Sequence, residues 1–209
     1  MRQKLKEQKL LNAKVGDYVF FGAYEQDNNT SNGKEEIEWL VLDKKDGKIL
    51  VISKYILDCE KYQNDWNVYY HSTNTWDNSS LRTWLNEDFI NEAFSSTEKS
   101  RIPTVTVSAE KNPSSYSDYV SAKETQDKIF LLSYTEAEKY FSSDDARECV
   151  RTNYATKKSS LDYWWLRTEG FFSDSPVTVS SSGQILTKLG RDANSIEGVR
   201  PAMWIDLAN

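Results

Sequence analysis

Few residues in this sequence have the type and spacing that catalysis or metal binding requires. His71 is the single histidine and follows Tyr69 and Tyr70 in a polar, aromatic segment. A catalytic histidine needs a nucleophile and an orienting carboxylate, and no spacing in the sequence proposes such partners. We therefore expect His71 to lie at the surface or in an ordinary hydrogen bond.

Cys59 and Cys149 are the only cysteines. They do not form a CxxC pair, and two thiols with one histidine are too few ligands for a zinc site. The pattern predicts buried free thiols, with a single disulfide as the alternative. We expect no metal and no cofactor.

Arg167 and Arg200 could bind an anion. An arginine in a Trp-rich setting can instead stack on the rings and donate its N–H groups to backbone carbonyls. We predict this structural role for both arginines, in a frame that also contains Trp84, Trp164 and Trp204.

Two segments that combine rings with polar residues are candidate recognition surfaces: residues 62–71, and residues 169–175 together with 191–195. Rings flanked by Asn and Asp suit stacking on sugars and equally suit protein hot spots, although ordinary surface loops are the alternative. Trp164 and Trp165 are adjacent, so on a strand they point to opposite faces, and we expect one of them at the ligand. The predicted ligand-binding residues are Trp66, Tyr69, Tyr70, Trp165, Phe171, Phe172, Asp174 and Asn194.

Composition limits the class of protein. The chain has 209 residues and is 13% aromatic, which is enough for one substantial core built largely from rings. The net charge is −6 with no basic stripe, so we expect no nucleic-acid partner. No apolar run approaches the ~20 residues of a membrane span, and no signal-peptide core follows the basic start. We expect a cytoplasmic protein as the sequence stands, or a cell-surface or secreted one if an N-terminal signal or anchor was removed.

Local patterns predict the elements that position these residues. Residues 1–14 form a charged helical lead-in and residues 15–209 a single domain. Residues 36–43 and 48–53 flank Asp46-Gly47 as a hairpin, after a short strand near residues 18–22. Residues 81–94 have helical spacing with Ser79 or Ser80 as the cap, and Thr135 is predicted to cap a helix that runs to Phe141.

Further strands are predicted at residues 104–107, 128–133, 163–167, 177–180 and 184–188, and one strand over 199–205 closes the sheet. Residues 110–125 are polar and are expected to form a surface excursion. The elements are short and lack a βαβ rhythm. The fold class is therefore α+β, with short antiparallel strands and two or three short helices in the first two thirds.

Four blocks carry a resemblance to known proteins: residues 80–94, 127–133 (DKIFLLS), 164–167 (WWLR) and 198–202 (GVRPA). In this order they resemble an uncharacterised bacterial family of domains of unknown function, over the chain from about residue 36 onward. The WLR and GVRP blocks are also distantly similar to the C-type-lectin-like fold, which formylglycine-generating enzymes and retroelement-diversified receptor-binding proteins share. The resemblance implies a single C-type-lectin-like domain.

The motifs that such relatives use for chemistry or for calcium are absent. No Cys lies between Trp165 and Arg200, where formylglycine generation needs a close pair, and iron-dependent relatives need three histidines. The calcium-dependent lectin strings EPN, QPN and WND do not occur. We therefore predict a non-catalytic module that binds a protein or glycan surface through the loops between the WWLR and GVRP strands.

Two alternatives remain at this point. The first is an enzyme that acts on carbohydrate through carboxylates such as Asp65 or Asp174, which would need two of them facing each other about 5–10 Å apart in a deep pocket. The second is a structural or accessory domain of a larger assembly. The sequence leaves the oligomeric state open.

Overall fold

The fold is built on two five-stranded sheets. The structure is a computed structural model, and it describes residues 2–116 and 120–207. The strands are β1 (Tyr18–Tyr24), β2 (Glu35–Lys45), β3 (Lys48–Ser53), β4 (Asp58–Lys61), β5 (Val105–Val107), β6 (Thr125–Asp127), β7 (Ile129–Phe130), β8 (Trp164–Trp165), β9 (Thr178–Val179), β10 (Ile185–Leu186), β11 (Ile196–Val199) and β12 (Ala202–Asp206). The first sheet has the order β1-β2-β3-β12-β7 and the second β10-β9-β8-β11-β4, while β5 and β6 form a separate pair.

The predicted hairpin around Asp46-Gly47 is confirmed as β2 and β3. Lys45 pairs with Lys48, so Asp46 and Gly47 form a two-residue turn, and both have positive φ (49° and 73°). Positive φ at both positions is what a tight hairpin turn requires, and glycine adopts it without strain. The inward residues of β2 include Ile37 and Trp39, which are fully buried. Local turn chemistry and alternation therefore set this part of the first sheet.

The predicted single strand over residues 199–205 is wrong, because the chain changes sheets at Arg200-Pro201. β11 pairs with β4 and, in parallel, with β8 in the second sheet. β12 then pairs with β3 and β7 in the first sheet. Pro201 has no N–H to donate to a ladder, which is consistent with a break at this position. Apolar residues lie on both sides of Arg200-Pro201, at Val199 and at 202–205, so the sequence pattern alone does not mark the break.

Seven α-helices lie among the described residues: α1 (Arg2–Leu11), α2 (Trp66–His71), α3 (Ser80–Trp84), α4 (Ile90–Ala93), α5 (Ser96–Ser100), α6 (Tyr134–Tyr140) and α7 (Asp144–Arg147). Five of them, α1 to α5, lie wholly within the first two thirds of the chain, which is more than the two or three predicted there. A π-helical turn (Leu85–Phe89) joins α3 to α4, so the predicted helix 81–94 is a composite.

Two helix caps test the sequence rules directly. The Ser79 side chain accepts a hydrogen bond from Arg82 N, which confirms one of the two predicted caps of α3. The predicted cap at Thr135 is wrong. Ser133 caps α6 instead, in a reciprocal capping box with Glu136, and the helix begins at Tyr134, two residues earlier than predicted.

The segment predicted as a polar surface excursion is partly anchored in the protein. Asn112 is fully buried, and its Nδ2 donates to the carbonyls of Glu169 (3.1 Å) and Thr187 (2.8 Å). Thr125, the last residue of the predicted excursion, begins strand β6, and only Ile129–Phe130 of the predicted strand 128–133 is a strand. Residues 117–119 of the excursion lie outside the described residues.

Rings fill much of the core, as the composition predicts. Trp39, Trp164 and Trp165 are fully buried, together with Tyr24 and Tyr62. Helix α1 lies within the predicted lead-in and packs onto β1, with Leu10 buried. No helix among residues 2–116 and 120–207 is long and apolar enough to cross a membrane.

Candidate functional site

Helix α2, which the sequence patterns do not predict, carries three predicted ligand-binding rings. Trp66 is 54% exposed and Tyr70 68% exposed, and their rings stack 5.5 Å apart at an interplanar angle of 16°. Tyr69 meets the Tyr70 ring edge-on at 4.8 Å. We refer to Trp66, Tyr69 and Tyr70 as the α2 cluster.

Polar side chains hold α2 in place. The Asp65 carboxylate caps the helix by accepting hydrogen bonds from Asn67 N (2.8 Å) and Val68 N (3.4 Å). Gln63 is buried, and its Oε1 accepts from Asp65 N (3.0 Å) and from Ser80 Oγ (2.5 Å). Hydrogen bonds therefore fix the backbone that carries the exposed rings.

A second ring cluster lies on the loop that follows the WWLR block. Phe172 is 54% exposed, Phe171 lies 5.0 Å from it, and Tyr116 lies 5.8 Å from Phe171, measured between ring centroids. We refer to these three residues as the Phe cluster. The loop closes tightly here, since a Cβ on Gly170 would lie 1.9 Å from the Ser175 carbonyl oxygen. Only glycine fits this close approach.

Asn74 joins the two clusters. Its backbone N and its Nδ2 both donate to the carbonyl oxygen of Ser173, at 2.8 and 2.9 Å. Asn74 is buried, so water does not compete for these bonds. The chain just after α2 is therefore tied to the residue that follows Phe172.

A third segment, residues 191–195, completes the surface. The Tyr69 hydroxyl donates to the Asp192 carboxylate, at 2.9 and 3.0 Å from its two oxygens. Ala193 N donates to the Asp174 carbonyl (2.7 Å), and Asn194 N donates to Asp192 Oδ1 (2.8 Å). The two segments that the sequence offered as separate candidates thus form one continuous surface.

The surface is acidic as well as aromatic. Partial burial, the hydrogen bond to Asp192, and the charges of Asp192 and Asp174 raise the pKa of Tyr69 to about 12. A cation also contacts the surface, since Lys61 Nζ lies 5.8 Å from the centroid of the Trp66 ring. Asp192 lies in the predicted recognition segment 191–195 but is not among the predicted ligand-binding residues, and the sequence prediction does not include Lys61 at all.

The prediction that Trp165 faces the ligand is wrong. Both Trp164 and Trp165 are fully buried, and Trp165 Nε1 donates to the Glu60 carbonyl (2.9 Å) while its ring packs on Tyr62. Strand β8 lies between β9 and β11, and both of its faces are covered. Adjacent residues on such a strand are both core residues, as on any strand buried on two sides.

The predicted frame residues occupy buried or half-buried positions. Arg167 donates to the carbonyls of Leu131 (2.8 Å) and Ser108 (3.2 Å) and forms an ion pair with Glu136. Arg200 donates to the Ser53 carbonyl (2.9 Å). Trp164 is buried, whereas Trp84 and Trp204 are half-buried.

Residues 46–207 match a family model described as a domain of unknown function, DUF6273. The match covers more than half of the chain. The chain belongs to the DUF6273 family. The predicted resemblance to an uncharacterised family is confirmed, and all four of its sequence blocks lie within the DUF6273 region. Neither a curated protein nor a solved structure matches the chain.

The cysteines of the DUF6273 region are unsuited to nucleophilic chemistry. Cys59 and Cys149 are buried and free, as the sequence predicted. Burial raises the pKa of Cys59 to about 12 and also raises the pKa of Cys149. Both thiols are therefore protonated at neutral pH, and the thiolate is the reactive form.

Before the DUF6273 region, one group of carboxylates has the spacing of a cation site. Oxygens of Glu25, Asp27 and Glu35 lie within 4.8 Å of one another, in a search of the described residues. Hard cations such as calcium prefer such oxygens. These carboxylates also order their own loop, because they accept hydrogen bonds from Asn29 N and Gln26 N.

The larger cavities lie away from the ring clusters. Two of them, of about 610 and 710 Å³, flank α1 and share Lys6, Phe20 and Glu36 in their walls. None of the predicted ligand-binding residues lines either one. The α2 cluster and the Phe cluster are therefore separate from these cavities.

Proposed function

We propose that this DUF6273 chain is a non-catalytic binding module. Its ligand contacts the recognition surface, which we define as Trp66, Tyr69, Tyr70, Phe171, Phe172, Asp174 and Asp192. The observation that carries the proposal is a continuous surface of exposed rings built on hydrogen-bonded, closely packed backbone. Clustered exposed rings with a polar rim are typical of interaction sites, since such rings dominate binding energy when a partner covers them.

The way this surface is held supports binding. Asp65, Gln63 and Asn74 fix the backbone around the α2 cluster, and Gly170 permits the tight loop of the Phe cluster. A surface ordered before the ligand arrives loses less conformational entropy on association. We take the ligand to be a protein surface, and a glycan is the alternative that the test below separates.

One of the two carboxylates that the enzyme alternative invokes is used to hold the backbone. Asp65 caps α2, and Asp174 accepts a hydrogen bond from Ser175 Oγ (2.9 Å). Carboxylates that act on a glycosidic bond must face the substrate from two sides of a pocket. This supports a binding role over the enzyme alternative.

A C-type-lectin-like arrangement is part of the proposal. Strand β8 of the WWLR block and strand β11 of the GVRP block are parallel neighbours, with Trp164 opposite Gly198. The segments between them supply Phe171, Phe172, Asp174 and Asp192 to the recognition surface. Two neighbouring strands joined by a long, loop-rich connection support this arrangement.

The test is a triple replacement of Phe171, Phe172 and Asp174 by alanine, screened beside the unmodified chain on glycan arrays and peptide arrays. We expect loss of whichever ligand the unmodified chain captures, with the melting temperature changed by no more than a few degrees. The matched control replaces the exposed Val150, Leu161 and Asp88 by alanine and should retain binding. Retained binding in the first triple variant would show that the surface is misassigned.

A further inference from the structure

Two kinds of group that attract cations meet on the recognition surface. The faces of aromatic rings carry negative charge density, and the α2 cluster exposes the rings of Trp66 and Tyr70. Asp192 lies against Tyr69 in the same cluster, and Asp174 is close enough to act on the same phenol. Rings and carboxylates therefore favour the same sign of ligand charge.

Neither carboxylate is neutralised by the protein. Asp192 accepts hydrogen bonds from the Tyr69 hydroxyl and Asn194 N, and Asp174 accepts from Ser175 Oγ. All of these donors are uncharged, and no ion pair to either carboxylate occurs among the described residues. The neighbouring Arg191 is engaged elsewhere, because its Nε forms an ion pair with Glu197 (2.6 Å). Both negative charges stay available to a ligand.

One ammonium group of the chain already lies against a ring of this surface. Lys61 Nζ lies 5.8 Å from the Trp66 ring centroid, within the range of a cation–π contact. Lys61 has no carboxylate partner within ion-pair distance among the described residues. The Trp66 ring is therefore the group that the Lys61 ammonium contacts.

From these contacts we propose that the recognition surface binds a basic segment of a partner protein, with lysine or arginine side chains placed over the α2 rings and beside Asp174 and Asp192. The inference rests on the proposed function and names its ligand. A neutral glycan would use the rings but would gain little from two uncompensated carboxylates. An anionic ligand would be repelled by them.

The experiment measures binding of hexalysine and hexa-arginine peptides to the full chain by titration calorimetry, with an uncharged Gly-Ser peptide of equal length and neutral oligosaccharides as the other probes. We expect the basic peptides to bind and the neutral probes not to bind. Added salt should weaken the binding, because exposed charges are screened. The isosteric double variant Asp174→Asn, Asp192→Asn should bind the basic peptides about tenfold more weakly.

A matched variant separates this surface from the overall negative charge of the chain. Glu87→Gln with Asp88→Asn removes the same two charges from exposed positions on the turn between α3 and α4. We expect this variant to keep the full affinity. Equal weakening in the two double variants would overturn the proposal, because it would show general attraction to an acidic protein.

The rings are tested separately with Trp66→Leu and Tyr70→Leu, which keep apolar area and remove the aromatic faces. We expect several-fold weaker binding of the basic peptides, and unchanged affinity would contradict the proposed contacts. A third outcome separates the ligand from the binding function. The unmodified chain and the Asn double variant would bind a neutral probe, and the Phe171, Phe172, Asp174 triple variant would not. This result would contradict a cationic ligand but would support the binding function. Capture of no probe by the unmodified chain would count against both.

Discussion

Arg200 shows how single side chains in the core of this domain are used. Its guanidinium lies over the rings of Phe141 and Trp164, 5.1 Å from each centroid, and burial lowers its pKa. Its Nε donates to Ser53, at the end of β3. A planar cation can stack between rings and donate in its own plane at once, which an ammonium group cannot do. Arg200 therefore connects the two sheets at the point where the chain crosses between them.

We predict that Arg200→Lys lowers the free energy of unfolding by about 2 kcal/mol, because the stacking and the Ser53 hydrogen bond are both lost from a buried site. Urea denaturation followed by fluorescence measures this. Arg191→Lys is the control, since Arg191 is partly exposed and a lysine can retain the pairing with Glu197. An equal loss of unfolding free energy in the two variants would contradict a structural role that is specific to Arg200.

The roles of individual residues could be predicted from the sequence where they depend on short-range rules. The Asp46-Gly47 turn and the Ser79 cap depend on neighbours within a few positions, and both were predicted. The burial of Trp165, in contrast, depends on which strands flank β8, and no local sequence pattern gives that. Its burial on both sides is a property of long-range pairing, so alternation alone gave the wrong result.

At the scale of elements, caps decide where the short helices begin. The Ser133 side chain accepts from Glu136 N (3.2 Å) and its hydroxyl hydrogen donates to Glu110 Oε1 (2.6 Å). The α6 helix is thereby joined to the segment after β5. Thr135 lies on the first turn of the helix and is exposed.

Ser133→Ala is expected to cost about 1–2 kcal/mol of stability, since a cap and a buried hydrogen bond are lost together. Thr135→Ala should change stability by less than about 0.5 kcal/mol, as surface substitutions usually do. Chemical denaturation of the two variants side by side gives the comparison. A larger loss at Thr135 would restore the cap that the sequence had indicated.

The residues of the recognition surface could be predicted from the sequence, but their arrangement could not, for a related reason. Composition singled out residues 62–71 and 169–175 as ring-rich, and seven of the eight predicted ligand-binding residues are on or beside the joined surface. Their junction through Asn74 and Ser173 could not be predicted, because it links residues 99 positions apart. Helix α2 was also missed, since it is short and carries no buried residue to give a helical apolar period.

At the scale of the whole molecule, the structural domain is larger than the family match. The DUF6273 region begins at residue 46, after strands β1 and β2, yet β2 pairs with β3 from Trp39 to Lys45. Ile37 and Trp39 of β2 are fully buried. The segment before the match is therefore part of the first sheet.

We predict that a chain of residues 46–207 alone does not fold, because removal of β2 leaves the edge of β3 unpaired and exposes core side chains. Size-exclusion chromatography and thermal unfolding by circular dichroism should show aggregation or no cooperative transition. A chain of residues 12–207, which lacks only α1, is the control and should unfold cooperatively at a lower temperature. Cooperative unfolding of the 46–207 chain would mean that β1 and β2 are dispensable.

The crossing at Arg200-Pro201 has a consequence for biosynthesis. β12 lies between β3 and β7 in one sheet, and β11 lies between β8 and β4 in the other, so the last strands along this sequence occupy inner positions in both sheets. A ribosome must therefore release residues 196–206 before either sheet can complete its pairing. Until then the partly made chain presents open strand edges in two places at once, a state in which nascent proteins depend on chaperones.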